Sequence, residues 1–146
     1  MTAKCFVATN VILYATSDDP SDQDKRSRAL AVLQEPDLGL SAQVLQEFVA
    51  NDLSKKHLQI YESKIHAVLR VLAEFPCVPI TPSLVGEALS LRTRHQISYW
   101  DAAILAAAQE LGCHTLYSED LIHGQLYGPV RVINPFLAPA PPSPSA

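Results

Sequence analysis

Residues 97–121 read Ile97-Ser-Tyr-Trp-Asp101-Ala-Ala-Ile-Leu-Ala-Ala-Ala-Gln-Glu-Leu-Gly112-Cys-His-Thr-Leu-Tyr-Ser118-Glu-Asp120-Leu121. This stretch decides the fold because it holds one helix and one strand, each with a carboxylate at its end. Ser98 stands three residues before Asp101, a capping arrangement. The run Ala102 to Leu111 has good helix formers and almost no polar face, so the helix is expected to be buried nearly all round. Gly112 stops it. His114 to Ser118 is short, apolar and bounded by turn signals, which predicts a buried strand that delivers Glu119 and Asp120 at its C-terminal end. In a parallel sheet that end is where ligands bind. Asp101 and Asp120 are therefore expected to face one crevice.

Working outward, Lys4 to Val7 predicts a first strand reaching Ala8, after which Thr9 or Asn10 is placed to cap a short helix through Val11 to Tyr14. Ser17 to Asp24 is a loop, and Lys25 to Leu33 an amphipathic outer helix broken by Pro36. Leu38 to Leu40 predicts a second strand, and Ser41 the cap of a helix that carries Glu47. Ile60 to Phe75 shows a helical stripe ended by Pro76, and its apolar outer-helix positions such as Ile60, Ile65 and Leu72 are expected to serve a homodimer or partner contact. Cys77 to Ile80 predicts a third strand, at an edge because Pro79 cannot donate to a ladder. Thr81-Pro82 opens a helix toward Arg94, and Val130 to Ile133 forms the last strand. Strands alternating with helices imply a three-layer α/β/α domain around a mainly parallel sheet of four to five short strands. The domain is expected over residues 1–136, followed by a flexible proline-, alanine- and serine-rich tail over 137–146.

The 146 residues, 48% apolar and 18% charged, suit one globular domain. No apolar run reaches the roughly 18 residues that span a bilayer, and the N-terminus lacks a signal-peptide pattern, so no membrane partner and a cytoplasmic location are expected. The three cysteines, Cys5, Cys77 and Cys113, lie far apart in or beside apolar runs and read as buried free thiols. The net charge of −4 argues mildly against a protein that coats nucleic acid, yet is compatible with an enzyme whose acids gather in a metal site.

The strand ends collect Asp101, Asp120 and, from the helix after the second strand, Glu47; Ala8 occupies the end of the first strand. Oxygen donors without histidine or cysteine suit magnesium or manganese rather than zinc. Without a cation the acids repel one another.

These residues also carry a resemblance to the PIN-domain ribonucleases, and within them to the VapC-like toxins of toxin–antitoxin pairs. Phe6-Val-Ala8-Thr9-Asn10-Val-Ile-Leu-Tyr-Ala resembles the opening strand and turn of the family, in which an aspartate precedes Thr-Asn. Gln43-Val-Leu-Gln-Glu47-Phe48 is similar to the segment carrying its glutamate. Tyr99-Trp-Asp101-Ala-Ala-Ile104 and Ser118-Glu-Asp120-Leu121 are similar to its last two acidic motifs. The resemblance implies an endoribonuclease dependent on Mg2+ or Mn2+, acting on structured RNA such as tRNA, a homodimer, and neutralisation by a cognate antitoxin. It implies Glu47, Asp101 and Asp120 as metal ligands, with Asn10 and Ser118 supporting them through hydrogen bonds. Ala8 stands where the family has its first catalytic aspartate, through an engineered change or natural degeneration, and this implies a crippled enzyme.

Taken singly, Asp101 is a favourable helix-dipole contact and Asp120 a turn residue. Glu47 in an apolar helix needs a partner, and the three together favour the metal site. Tyr99 and Trp100 read as core or dimer contacts rather than catalytic groups. Lys55, Lys56, His57, Arg92, Arg94 and His95 read as a solvated basic face, and His123 has no assigned role. Two other readings remain open: a non-catalytic module binding protein or RNA, which Ala8 favours, and a phosphoacceptor signalling domain, which lacks its acceptor aspartate and late-strand lysine.

Overall fold

The computed structural model describes residues 1–54 and 58–137 and, from 58 to 61, the backbone alone. Lys55, Lys56 and His57 and the tail beyond residue 137 lie outside the described residues, as does the side chain of Ile60.

The chain runs β1 (Cys5–Val7), α1 (Thr9–Ala15), a 3-10 turn (Pro20–Asp22), α2 (Gln23–Leu33), β2 (Leu38–Ser41), α3 (Ala42–Leu53), α4 (Leu58–Leu72), β3 (Cys77–Val78), α5 (Pro82–His95), α6 (Tyr99–Glu110), β4 (Thr115–Tyr117), β5 (Leu126–Tyr127) and β6 (Val130–Ile133). One sheet has the order β3-β2-β1-β4-β6-β5. Strands β1 to β4 and β6 are parallel, with Cys5 opposite both Leu38 and Thr115, and β5 pairs antiparallel with β6. The sheet thus has six strands, more than the four to five expected. The extra one, β5, is the two-residue arm of a hairpin turning at Gly128, and a pair of residues carries no readable alternation.

β1 lies between β2 and β4, so the chain leaves it in opposite directions along the sheet. The crevice at the C-terminal ends of β1 and β4 is the switch point where open α/β sheets bind ligands. β3 is indeed an edge strand, as Pro79 predicts. Gly39 in β2 is required by close approach, since a Cβ there would lie 2.6 Å from Leu111 Cδ1 and 3.0 Å from Ala3 Cβ.

Helix α6 is the central packing element. Ala102 through Ala108 are all buried, and the small alanines let it pack along α5 and against β2, β4 and β6. Gly112, at φ +79, ends its last turn in the left-handed region that glycine accepts without cost. Ser41, Thr81 and Ser98 cap α3, α5 and α6, each side chain accepting from the amide three residues on, at 3.3, 3.1 and 3.1 Å.

The cap of α1 differs from expectation. The N-cap position is Ala8, which has no capping side chain, and neither Thr9 nor Asn10 takes that role. Both are inside the helix and turned to other partners. Cys5 and Cys113 are buried free thiols, while Cys77 is half-buried. Burial pushes the Cys113 thiol up to about 12, and the nearby Cys5 and Asp37 add to the shift. Ile65 and Leu72, expected on an outer helix face, are buried within the chain. No helix among the described residues is long and apolar enough to cross a membrane.

Candidate active site

Ala8, Thr9, Glu47, Trp100, Asp101, Ile104, Ser118, Asp120 and Leu121 line one cleft of about 50 Å³ at the C-terminal ends of β1 and β4. At roughly 10–15 Å³ per water, that holds a few water molecules or a small hydrated ion. The sequence positions these residues by simple means. β1 ends at Val7, and the Ala8 amide donates to the Tyr117 carbonyl at 3.0 Å, locking the start of α1 beside the end of β4. The Ser41 cap sets the start of α3, so that Glu47 falls in its second turn. The Ser98 cap places Asp101 in the first turn of α6.

Each carboxylate has a distinct environment. The hydroxyl of Thr9 donates to Glu47 Oε1 at 2.7 Å. Gln43 Nε2 reaches Glu47 Oε2 at 3.5 Å and donates to the Trp100 carbonyl at 3.2 Å, linking α3 to the N-terminus of α6 beside Asp101. Asn10 Nδ2 donates to Asp120 Oδ2 at 3.1 Å and to Ser118 Oγ at 3.3 Å, and Ser118 Oγ accepts the Asp120 amide at 3.1 Å. The Glu119 amide closes the ring on Asn10 Oδ1 at 3.4 Å. Burial raises the Asp101 carboxyl above its ordinary range, the Ser98 hydroxyl partly offsets this, and the charges of Asp120 and Glu47 raise it further. Through those last two causes Asp101 responds to the charges of the two acids that share its cleft.

Glu47, Asp101 and Asp120 are thus brought together with Ala8, and Asn10 and Ser118 touch the last of them. Among the described residues, however, no three aspartate, glutamate, histidine or cysteine side chains come close enough to hold a metal ion. The donor chemistry suits a hard cation, but the side chain at position 8 is a methyl group and supplies no oxygen. Thr9 and Gln43 were not legible as site residues. Gln43 carried a faint signal, since it lies one helical turn before Glu47 on the same face. Trp100 borders the cleft and is 64% exposed, so it is not a core residue. His123 Nδ1 accepts the Asn134 amide at 3.0 Å, and His123 does not line the cleft.

Comparison with known proteins bears on the family and the fold. The family model of the PIN domain matches residues 5–128. A search of curated proteins finds no match. Among solved structures, the chain is similar to the Mycobacterium tuberculosis toxin VapC20, which cleaves the sarcin–ricin loop, at 21% identity and a TM-score of 0.62 over 80% of this chain and 90% of that one. It is similar to FitAcB from Neisseria gonorrhoeae at 21% identity and a TM-score of 0.64, covering 90% and 98%. A toxin–antitoxin complex from Klebsiella pneumoniae is similar at 17% identity and a TM-score of 0.67, covering 91% and 98%. At such identities the likeness is one of fold. The family match runs from the first residue of β1 to the turn before β6 and so takes in every residue of the cleft: this chain belongs to the PIN domain family.

Proposed function

We propose that the chain is built as a metal-dependent endoribonuclease, the toxin of a toxin–antitoxin pair, and that Ala8 leaves this copy crippled. The observation that carries this reading is the convergence of Glu47, Asp101 and Asp120, from three separate elements, on one cleft that Ala8 also lines. Membership of the PIN domain family, and a toxin and a toxin–antitoxin complex among its structural neighbours, support it. The toxin–antitoxin complex among those neighbours supports an antitoxin protein as partner; in this reading the substrate is structured RNA such as tRNA.

A magnesium or manganese ion, when bound, polarises a phosphodiester and lowers the pKa of a bound water. Glu47, Asp101 and Asp120 are the residues that would hold it, with their carboxylates drawn closer together than they stand here and the oxygen that Ala8 lacks restored. Asn10 holds the Asp120 carboxylate and Ser118 its backbone amide, while Thr9 and Gln43 fix Glu47. Asp101, with its raised pKa, takes up a proton more readily than an ordinary aspartate and so relieves part of the mutual repulsion.

Restoring the acid tests the reading. Ala8→Asp is expected to yield an RNA-cleaving activity dependent on magnesium or manganese, toxic when expressed without an antitoxin, and Glu47→Gln in that background abolishes it. Calorimetric titration of the unaltered chain with manganese should show weak binding that an Asp101→Asn, Asp120→Asn double variant loses. Ala8 also favours one second reading, a non-catalytic module that binds RNA or protein. An Ala8→Asp variant that binds metal normally yet cuts no RNA establishes that reading in place of the nuclease.

A further inference from the structure

A second pocket, of about 320 Å³, opens beside the acidic cleft and is lined in part by Asn10, Tyr14, Ser17, Asp22, Asn51 and Glu119. Its volume lies at the low end of the range for small-molecule sites, roughly 300–1,000 Å³. Asn10 links the two spaces, because the amide that lines this pocket donates to Asp120 of the cleft. Glu119 is the immediate chain neighbour of Asp120. A ligand here sits one residue from the carboxylates.

The polar atoms offered by the wall are mostly acceptors. Glu119 Oε2 is paired with Lys25 at 3.4 Å, Asp22 Oδ2 accepts from the Ser17 hydroxyl at 2.7 Å, and Asn51 Nδ2 donates to the Glu47 carbonyl at 2.9 Å. Among the described residues nothing donates to Glu119 Oε1, Asp22 Oδ1 or Asn51 Oδ1. Both N–H groups of the Asn10 amide are used, by Ser118 and Asp120, and its oxygen accepts the Glu119 amide. An ionised carboxylate can only accept, so a ligand must bring N–H or O–H donors. Lys25 also hydrogen-bonds the Tyr14 hydroxyl at 3.1 Å and lies 4.4 Å from the centre of its ring. The cationic position against Glu119 is therefore already filled, which favours a neutral donor over a second ammonium or guanidinium group. Asp22, with no ion pair among the described residues, disfavours a phosphate.

We propose that this pocket reads a guanine base of the RNA, a role that rests on the RNA-cleaving reading above. Guanine presents N1–H and the N2 amino group side by side, two neutral donors matched to one carboxylate. Uracil has a single N–H between two carbonyls, which would face the wall's acceptors. Single-stranded RNA is commonly recognised through such base edges. Glu119 is the specificity-determining residue and Asn51 supports it. With the base held here, the adjoining phosphodiester lies toward Asp101 and Asp120.

The test needs neither metal nor cleavage. Isotope-labelled protein is titrated with GMP, AMP, CMP and UMP and, as a basic side-chain mimic, N-acetyl-arginine amide, and chemical shifts are followed. GMP is expected to perturb Tyr14, Asn51 and Glu119 and to bind at least several-fold more tightly than UMP. Loss of one charge-assisted hydrogen bond in Glu119→Gln should weaken GMP roughly tenfold or more, and Asn51→Ala should weaken it in the same direction. Equal affinity for GMP and UMP, or GMP binding indifferent to both substitutions, overturns the assignment. Tighter binding of the arginine mimic overturns it in favour of a site for a basic protein side chain. If Ala8→Asp cleaves RNA while GMP is not bound, the pocket assignment falls and the nuclease reading stands. If GMP binds as described and Ala8→Asp cuts nothing, the nuclease reading falls and the base pocket stands.

Discussion

Thr9 and Glu47 are joined by a 2.7 Å hydrogen bond that ties the first turn of α1 to the middle of α3. Thr9 is buried, and its hydroxyl serves the neighbouring helix rather than capping its own. Together with Gln43 it holds both oxygens of Glu47. Removing a residue that orients a metal-binding carboxylate commonly costs about 10–100-fold in affinity or activity.

Thr9→Val in the Ala8→Asp background should therefore lower the RNA-cleaving rate within that range while leaving the fold intact. Thr9→Ser, which keeps the hydroxyl, should restore most of it. Parallel rate measurements with thermal unfolding check this. A valine variant as active as its parent shows that Glu47 needs no such hold.

Asp101 makes a prediction with a definite sign. Its carboxyl is raised in the folded chain by burial and by the charges of Asp120 and Glu47. A raised acid binds its proton more tightly when folded, so its charge destabilises the fold at neutral pH. That penalty is relieved as pH falls through the folded pKa toward the ordinary aspartate value. Asp101→Asn should therefore raise the melting temperature at neutral pH and flatten its dependence on pH across the mildly acidic range. A variant whose melting curve follows the parent at every pH contradicts this electrostatic account.

Ala8→Asp should affect stability in two opposing ways. An aspartate at this bare N-cap position can bond the first-turn amides of α1, worth about 1 kcal/mol. It also brings a fourth negative charge to a buried position beside three others. In chelator the repulsion should win and the variant melt a few degrees lower, roughly 2–4 °C per kcal/mol for a chain of this size. Millimolar magnesium should then raise its melting temperature more than that of the parent. An equal response to magnesium in both proteins removes the cation from the cleft.

We also propose a homodimer, on a different face from the one the sequence indicated. Ile65 and Leu72 are buried inside the chain, whereas Ile80, Val85, Leu89 and Trp100 are exposed, and a groove lined by Ile80, Leu84, Val85, Tyr99 and Trp100, with Gln43 and Gln46 of α3, runs between α3, α5 and the start of α6. Val85 and Leu89 lie one turn apart on α5. Light scattering at micromolar concentration should give a dimer for the parent and a monomer for Leu89→Glu. A monomeric parent, or a dimer unaffected by Leu89→Glu, rules out this face.

Much of this molecule was legible in its sequence. The alternation of short apolar runs with helical stripes identified the parallel α/β architecture, because pleat and helix impose different periods on burial. Ser41, Thr81 and Ser98 marked three helix starts, since a short hydroxyl side chain reaches its own backbone and depends on nothing remote. The alanine run of α6 announced a buried helix. Even the family was readable from four short motifs in order along the chain.

What the sequence did not determine depends on contacts between distant residues. β5 has two residues and forms only because β6 offers it a ladder. Thr9 looked like a cap because the chain alone does not show Glu47, 38 residues away, competing for its hydroxyl. Ile65 and Leu72 looked like an outer stripe, yet a stripe has no sign until the sheet and its neighbours decide which side is covered. The second pocket joins residues from α1, the following loop, α3 and the end of β4, and no local pattern links them. Local rules set which backbone states each segment prefers; only the packed tertiary structure assigns each polar group its partner.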